Sequence, residues 1–315
     1  MSLKQVNPAK AGLYVLRRRL AAINPAKAGL YFIAIALAVG SAVGLDAQTK
    51  SFLWKVQSGP RVMYLAGSIH ALSADVYPLS PAFTQAYAAS DTLLEEINLE
   101  TADLLSLGPM LLSRAMYQDG RTFEKVVSKE TLDLVTTHLK GMPMAAELVR
   151  PMKPWMVMLL LSAMQMQQAG LDPNLGLDKY FFDQAKADRK TIIGLETAES
   201  QIDRFDKMPE ALQEQLLRNT LDEISMQKGE LATIVSAWRR GDSAALERDV
   251  MSGLKKYPAV YQSLIVERNN NWMPQLDKCL ARTTPCMVVV GAAHIVGPDG
   301  LLALLRRKGY RIEQQ

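Results

Sequence analysis

Histidine and cysteine are scarce in this chain, at three and two of 315 residues. No Gly-x-Ser-x-Gly elbow occurs, so a serine nucleophile of that kind has no support. Cys279 and Cys286 have no His or further Cys beside them, which argues against a zinc cluster or a catalytic thiol there. The body of the chain also lacks an excess of either charge. The net charge is +4, yet the first 47 residues hold six basic side chains (Lys4, Lys10, Arg17, Arg18, Arg19 and Lys27) against one acid, Asp46. What remains is near neutral and has no basic stripe, so it lacks the counterion-release affinity on which nucleic-acid binding depends. Charged residues at 22% and apolar residues at 49% fit a folded chain with a sizeable core.

A long uncharged stretch runs from Gly29 to Leu45, behind the basic segment. With small residues at Ala42, Gly44 and Ala47 near its end, this reads as a signal peptide. A retained membrane anchor is the alternative, since the stretch nears the lower limit for a span. No Cys follows the run, so a lipid anchor is not indicated. Residues 1–47 are therefore read as an N-terminal extension and 48–315 as one domain. The expected location is the periplasm or another extracytoplasmic compartment, with membrane contact only through the N-terminal segment. In that setting the two cysteines, seven positions apart, read as a small-loop disulfide. The octapeptide Asn-Pro-Ala-Lys-Ala-Gly-Leu-Tyr occurs at 7–14 and again at 24–31. Two copies do not make a solenoid, and they read as an upstream extension.

From Ser51 the pattern predicts strands over 52–57 and 61–66, joined by a turn at Ser58-Gly59-Pro60. A helix follows from Pro81 to Ala89, and a strand over 92–98. Helical periodicity dominates 102–253, interrupted by a strand at 191–194, and a long helix covers about 258–281. Met287 to Val290 reads as a buried strand. A helix from Gly300 to Lys308, capped by Asp299, leads to a last strand at 310–313. The fold class is α/β: a mixed, mostly parallel central sheet flanked by helices, with a large helical insertion at about 102–188 and a single core.

Two of the three histidines share one setting. Val62-Met63-Tyr64-Leu65-Ala66 leads into Gly67-Ser68-Ile69-His70, and Met287-Val288-Val289-Val290 leads into Gly291-Ala292-Ala293-His294. In each, an apolar strand ends at Gly and His follows three positions later. In open α/β sheets, sites gather outside the carboxyl ends of strands, where Gly lets the backbone turn sharply. A carboxylate is available from the 92–98 strand, in which alternation puts Glu95 and Glu96 on opposite faces without choosing between them. An acid in a buried strand is costly unless paired, hydrogen-bonded or bound to metal. His138 reads as an exposed helical residue. The methionines around Trp155 to Leu161 read as core packing, on a run too short to span a bilayer.

These features together resemble the TraB/GumN/Tiki family over about residues 52–313. The resemblance rests on Leu53-Trp54-Lys55, the paired Gly-x-x-His and the strand Glu, with Lys153-Pro154-Trp155, Gly176-Leu177-Asp178, Gly194-Leu195-Glu196-Thr197, Arg268-Asn269 and Gly297-Pro298-Asp299-Gly300 in support. It implies an erythromycin-esterase/haem-uptake-like fold, and members are described as a divalent-metal-dependent protease and as a protein that curbs a peptide pheromone. The family's acidic position matches Glu96. Asn98 stands where an Asp is common, and Ser68 where Thr is usual. The resemblance thus implies an exported metal-dependent peptidase acting on a peptide or small-molecule substrate. His70, Glu96 and His294 would be ligands to a divalent ion (Mn, Co or Zn). Glu96, Arg268 and Glu196 are the expected catalytic residues: Arg268 for an oxyanion or substrate carboxylate, Glu196 as a partner of a site histidine or of a Lys. Asp178 is read as a helix-start or structural acid. Two alternatives stand beside this: a metal-independent esterase-like hydrolase with a His base oriented by Glu96, and ligand or haem binding without catalysis.

Overall fold

The structure is a computed structural model, and it describes residues 50–100, 104–142, 144–225 and 228–315. The expected leader, its alternative as an anchor and the repeated octapeptide lie outside these residues. Among the described residues six strands are present: β1 (Leu53–Ser58), β2 (Arg61–Ser68), β3 (Thr92–Ile97), β4 (Thr191–Glu196), β5 (Cys286–Gly291) and β6 (Arg311–Gln314). They form one sheet in the order β4-β3-β5-β2-β1-β6. β1 and β2 make the expected hairpin, with Ser58 opposite Arg61 across Gly59-Pro60. Gly59 takes φ +57 there, a backbone suited to tight turns that follow strand twist. β2 pairs in parallel with β5, β5 with β3, and β3 with β4. β6 is antiparallel to β1, so β1 alone runs against the others. The closing strand-helix-strand unit keeps β5 and β6 in one direction, with β2 and β1 between them. Every residue of β5 is buried, because helices cover both of its faces.

Helices fill the two longest connections. The first helix, α1 (Pro81–Ala89), begins on its proline as expected. Between β3 and β4 come, among others, α2 (Pro154–Gln168) and α3 (Leu177–Ala187). A second helical block separates β4 from β5 and includes α4 (Ala198–Asp206) and α5 (Glu267–Leu280). The single expected core becomes two apolar clusters among the described residues. The larger surrounds the sheet. The smaller, around Phe123, Val135, Val157, Leu217 and Val260, lies where the two helical blocks meet. Periodicity along one helix gives its apolar face but not the distant helix that covers it. Met152 and Met158 are buried in this second cluster, with Met156 and Met164 packed against it, so the methionine run is core.

Two local expectations are corrected. The long helix over 258–281 is broken into Pro258–Tyr261, a π turn at Gln262–Val266, and α5. A π turn re-phases the helix face, here just before Arg268 and Asn269. Asp299 does not cap the last helix. Beyond the short α6 (Ala292–Ile295), α7 (Leu301–Arg307) starts at Gly300 with no side-chain cap. The Asp299 carboxylate instead accepts a hydrogen bond from the Tyr261 hydroxyl at 3.0 Å. Cys279 and Cys286 are joined, tying the end of α5 to the start of β5. Among the described residues no helix is long and apolar enough to cross a membrane.

Candidate functional site

β2, β5 and β3 are neighbouring parallel strands, so their carboxyl ends share one rim of the sheet, where α/β folds hold their ligands. His70 follows β2, Glu96 is the penultimate residue of β3, and His294 lies in α6, directly after β5. The Nε2 atoms of His70 and His294 each lie 4.0 Å from the same oxygen, Glu96 Oε1. That oxygen also accepts the Gly291 N–H at 2.8 Å. The structure therefore brings all three residues together and selects Glu96 over Glu95 as their carboxylate.

The two glycines serve a purpose other than the sharp turn expected of them. Gly291 has φ −50 and ψ 137, open to any residue. A Cβ there would lie 3.1 Å from His70 Nε2, 3.2 Å from Glu96 Oε1 and 3.7 Å from His294 Cδ2. Its missing side chain is the space on which the three residues converge. At Gly67 a Cβ would strike the Phe52 ring at 2.4 Å, while Trp238 Nε1–H donates to the Gly67 carbonyl at 2.6 Å. Both glycines are demanded by proximity.

Each imidazole is anchored by its far nitrogen. His70 Nδ1 lies 3.2 Å from Asp178 Oδ1. Asp178, read from the sequence as structural, thus belongs to the site, and Gly176 explains how it gets there. A Cβ on Gly176 would sit 2.3 Å from the His70 carbonyl oxygen, so only glycine lets the start of α3 pass this close. His294 Nδ1 lies 2.8 Å from Asn269 Oδ1. Asn269 is fully buried, and its amide donates to the carbonyls of His294 and Asp299 at 3.2 and 2.9 Å. That fixes the amide orientation, so His294 carries its proton on Nδ1 and presents the Nε2 lone pair. Burial, with the nearby Arg268 and His70 charges, lowers the His294 pKa to about 3 against the pull of Glu96, and the ring is neutral. His70 differs. Desolvation would lower it, but the hydrogen bond and charge of Asp178 and the charge of Glu96 raise it to about 9. For Glu96, burial is outweighed by the surrounding positive groups and the Gly291 N–H, which hold it at about 2.

Arg268 binds the cluster together. Its Nη2 donates to Glu96 Oε2 and Glu196 Oε1, both at 2.5 Å, and its Nε donates to Glu196 Oε1 at 3.0 Å. Its Nη1 donates to His294 Nε2 at 2.9 Å and to the Leu264 carbonyl at 3.5 Å. All five guanidinium N–H groups thus have protein partners. The expected oxyanion role needs a free donor, which Arg268 lacks in this arrangement. Glu196 is its counter-ion and, among the described residues, has no hydrogen bond or ion pair to a histidine or a lysine. Gln201 of α4 links the two acids, donating to Glu96 Oε2 at 3.2 Å and Glu196 Oε1 at 2.9 Å. The Trp272 ring packs on both His294, at 4.5 Å between centroids, and Arg268, at 4.7 Å.

The donor chemistry suits a divalent ion: two imidazole nitrogens and one ionised carboxylate, with both far nitrogens anchored as metal-binding histidines require. Among the described residues, no group of three or more His, Cys, Asp or Glu is already gathered as a metal cage.

The TraB/PrgY/gumN family model matches residues 52–314. The chain belongs to this family. It is 28% identical over 251 residues to the uncharacterized protein YbaP of Escherichia coli (strain K12), covering 79% of this chain and 89% of that protein. The YbaP of Shigella flexneri matches at the same identity and coverage. Among solved structures, none matches. In this TraB/PrgY/gumN member, Asn98 donates to the Ile192 carbonyl at 3.2 Å and accepts from the Glu100 N–H at 2.9 Å. It fastens the end of β3 to β4 and does not replace a second acid in the site. His138, half-buried at the end of a helix over Lys129–His138, takes no part. The sequence reading missed Asp178, Asn269 and Gln201 as site residues. Gly176-Leu177-Asp178 and Arg268-Asn269 carried signals for the first two, and nothing in the sequence marked Gln201.

Proposed function

We propose that this chain is a divalent-metal-dependent hydrolase acting on peptides in an extracytoplasmic compartment. One observation carries the reading: two imidazole Nε2 atoms converge on a single Glu96 oxygen, each ring tethered through Nδ1. His70, Glu96 and His294 would hold the ion, which when bound polarises a carbonyl and acidifies its water. Asp178 and Asn269 orient the two rings, and Gly291 keeps the space between them clear. Arg268, Glu196 and Gln201 hold Glu96 in place and ionised. The joined cysteines support an oxidising compartment.

A metal-independent reading with a histidine base is less well supported. A single histidine base would need one imidazole oriented by Glu96, whereas both Nε2 atoms face one Glu96 oxygen and both Nδ1 atoms are anchored. The test is metal analysis with a peptide-library cleavage screen, run beside His70→Ala and His294→Ala. Joint loss of metal and cleavage in both variants is expected. Cleavage that persists in chelator and in His70→Ala would overturn the proposal, and Soret absorbance on adding haem would favour the ligand-binding alternative.

A further inference from the structure

Adjacent residues of a strand point to opposite faces. Glu96 reaches Arg268 on α5, so Glu95 faces the other layer, towards α3. It is only 3% exposed, and its Oε1 has no hydrogen-bond partner among the described residues. Ser68, at the end of β2, is 2% exposed, and its Oγ likewise has none. Two orphaned buried polar groups in one place are unusual, because each costs on the order of 1–3 kcal/mol when nothing meets it. Glu95 and Ser68 line the same cavity of about 290 Å³, whose rim carries His70, Asp178 and Glu96. Ile97, Leu99 and Val289 supply apolar wall. The cavity thus offers a buried acid and hydroxyl, an apolar wall, and the His70–Asp178 pair with Glu96 at its rim.

We propose that Ser68 and Glu95 form a subsite for a primary ammonium group of the substrate, carried on an apolar stem. An ammonium is a three-fold donor without acceptors. It can donate to both Glu95 Oε1 and Ser68 Oγ, and it supplies the counter-ion without which the buried Glu95 carboxyl keeps its own proton. The substrate class follows as a peptide presenting a primary amine beside the bond to be cleaved. This inference rests on the peptidase reading for its word "substrate", but the binding step stands without turnover. The ammonium can come from a peptide N-terminus or from a lysine side chain, and the two sources are separable.

The test uses the full chain and four pentapeptides, with a free or acetylated N-terminus combined with Lys or norleucine at one position. Binding is measured by calorimetry, and cleavage in parallel with added Mn, Co or Zn. A charge-assisted hydrogen bond in a buried site changes affinity by about 10- to 100-fold. The subsite predicts that margin for ammonium-bearing peptides over the acetylated norleucine peptide, and the N-terminal and lysine arms identify the source. In Glu95→Gln, which keeps the shape but cannot form an ion pair with the ammonium, the margin collapses; in Ser68→Ala it shrinks. Equal affinity for all four peptides, or a margin that survives in Glu95→Gln, overturns the subsite. Amine-dependent binding without cleavage sinks the hydrolase reading and leaves the subsite standing. Cleavage indifferent to the amine does the reverse.

Discussion

Replacing Gly291 by alanine separates the claim that three residues converge from the weaker claim that they are near one another. The backbone at Gly291 (φ −50, ψ 137) accepts any L-residue, so no conformational strain arises. What changes is space. The new methyl would lie 3.1 Å from His70 Nε2 and 3.2 Å from Glu96 Oε1, tighter than ordinary van der Waals contact, and the side chains would move apart by a few tenths of an ångström. Overpacking of this kind costs about 1–3 kcal/mol, which a domain of this size survives folded. The methyl nevertheless stands between the two rings and the carboxylate. Since merely disturbing the groups behind metal ligands lowers affinity about 10- to 100-fold, the expected loss in Gly291→Ala is at the upper end of that range or beyond. Calorimetric titration with Mn, Co and Zn measures it, and thermal unfolding shows that the fold persists. Gly67→Ala is the control. There the methyl meets the Phe52 ring at 2.4 Å and Ile295 at 3.1 Å but none of His70, Glu96 and His294, so stability falls more and ion affinity less. A Gly291→Ala protein that binds ions and cleaves peptides like the wild type would refute the convergence.

Four further outcomes are expected. Asp178→Asn removes the group that raises His70 to about 9; its pKa should fall towards the ordinary 6.5, followed by the imidazole proton shifts in an NMR titration. Burial raises the Glu95 carboxyl to about 9, so above pH 4.5 the folded state keeps a proton that the unfolded state releases, and stability falls as pH rises towards 9. That slope is about 1.4 kcal/mol per pH unit at most; Glu95→Gln should flatten it and be more stable than wild type at pH 8, with no gain at pH 4, as denaturant melts at the two pH values would show. Asn269→Ala leaves His294 Nδ1 and two buried carbonyls without their partner and should cost about 2–4 kcal/mol in unfolding experiments, with weaker ion binding. Opening the Cys279–Cys286 link, which closes a loop of sequence separation 7, should lower stability by about 2–3 kcal/mol on the chain-entropy argument; a melt in reductant that matches the oxidised melt would contradict it.

The strands, the hairpin at Gly59-Pro60 and the two Gly-x-x-His segments were legible because they are local: alternation, turn chemistry and apolar runs are written within six or eight residues. The candidate residues His70, Glu96, His294, Arg268 and Glu196 all fall in one cluster for a related reason. Parallel strands place their carboxyl ends on one rim, so residues that follow different strands meet there although nearly 200 positions separate Glu96 from Gly291. Alternation could not choose between Glu95 and Glu96, because it says that two neighbours face opposite ways but not which helix covers which face; the family resemblance pointed to Glu96, and the fold sets its carboxylate beside both imidazoles. The roles of Asp178, Asn269 and Gln201 were decided likewise. Each is an ordinary polar residue on a helix until packing sets it against an imidazole or a carboxylate. Sequence alone determined which residues could do chemistry at the ends of strands. Tertiary structure decided which partner each one meets, and hence its protonation, because hydrogen bonds, burial and nearby charge depend on groups brought together from distant parts of the chain.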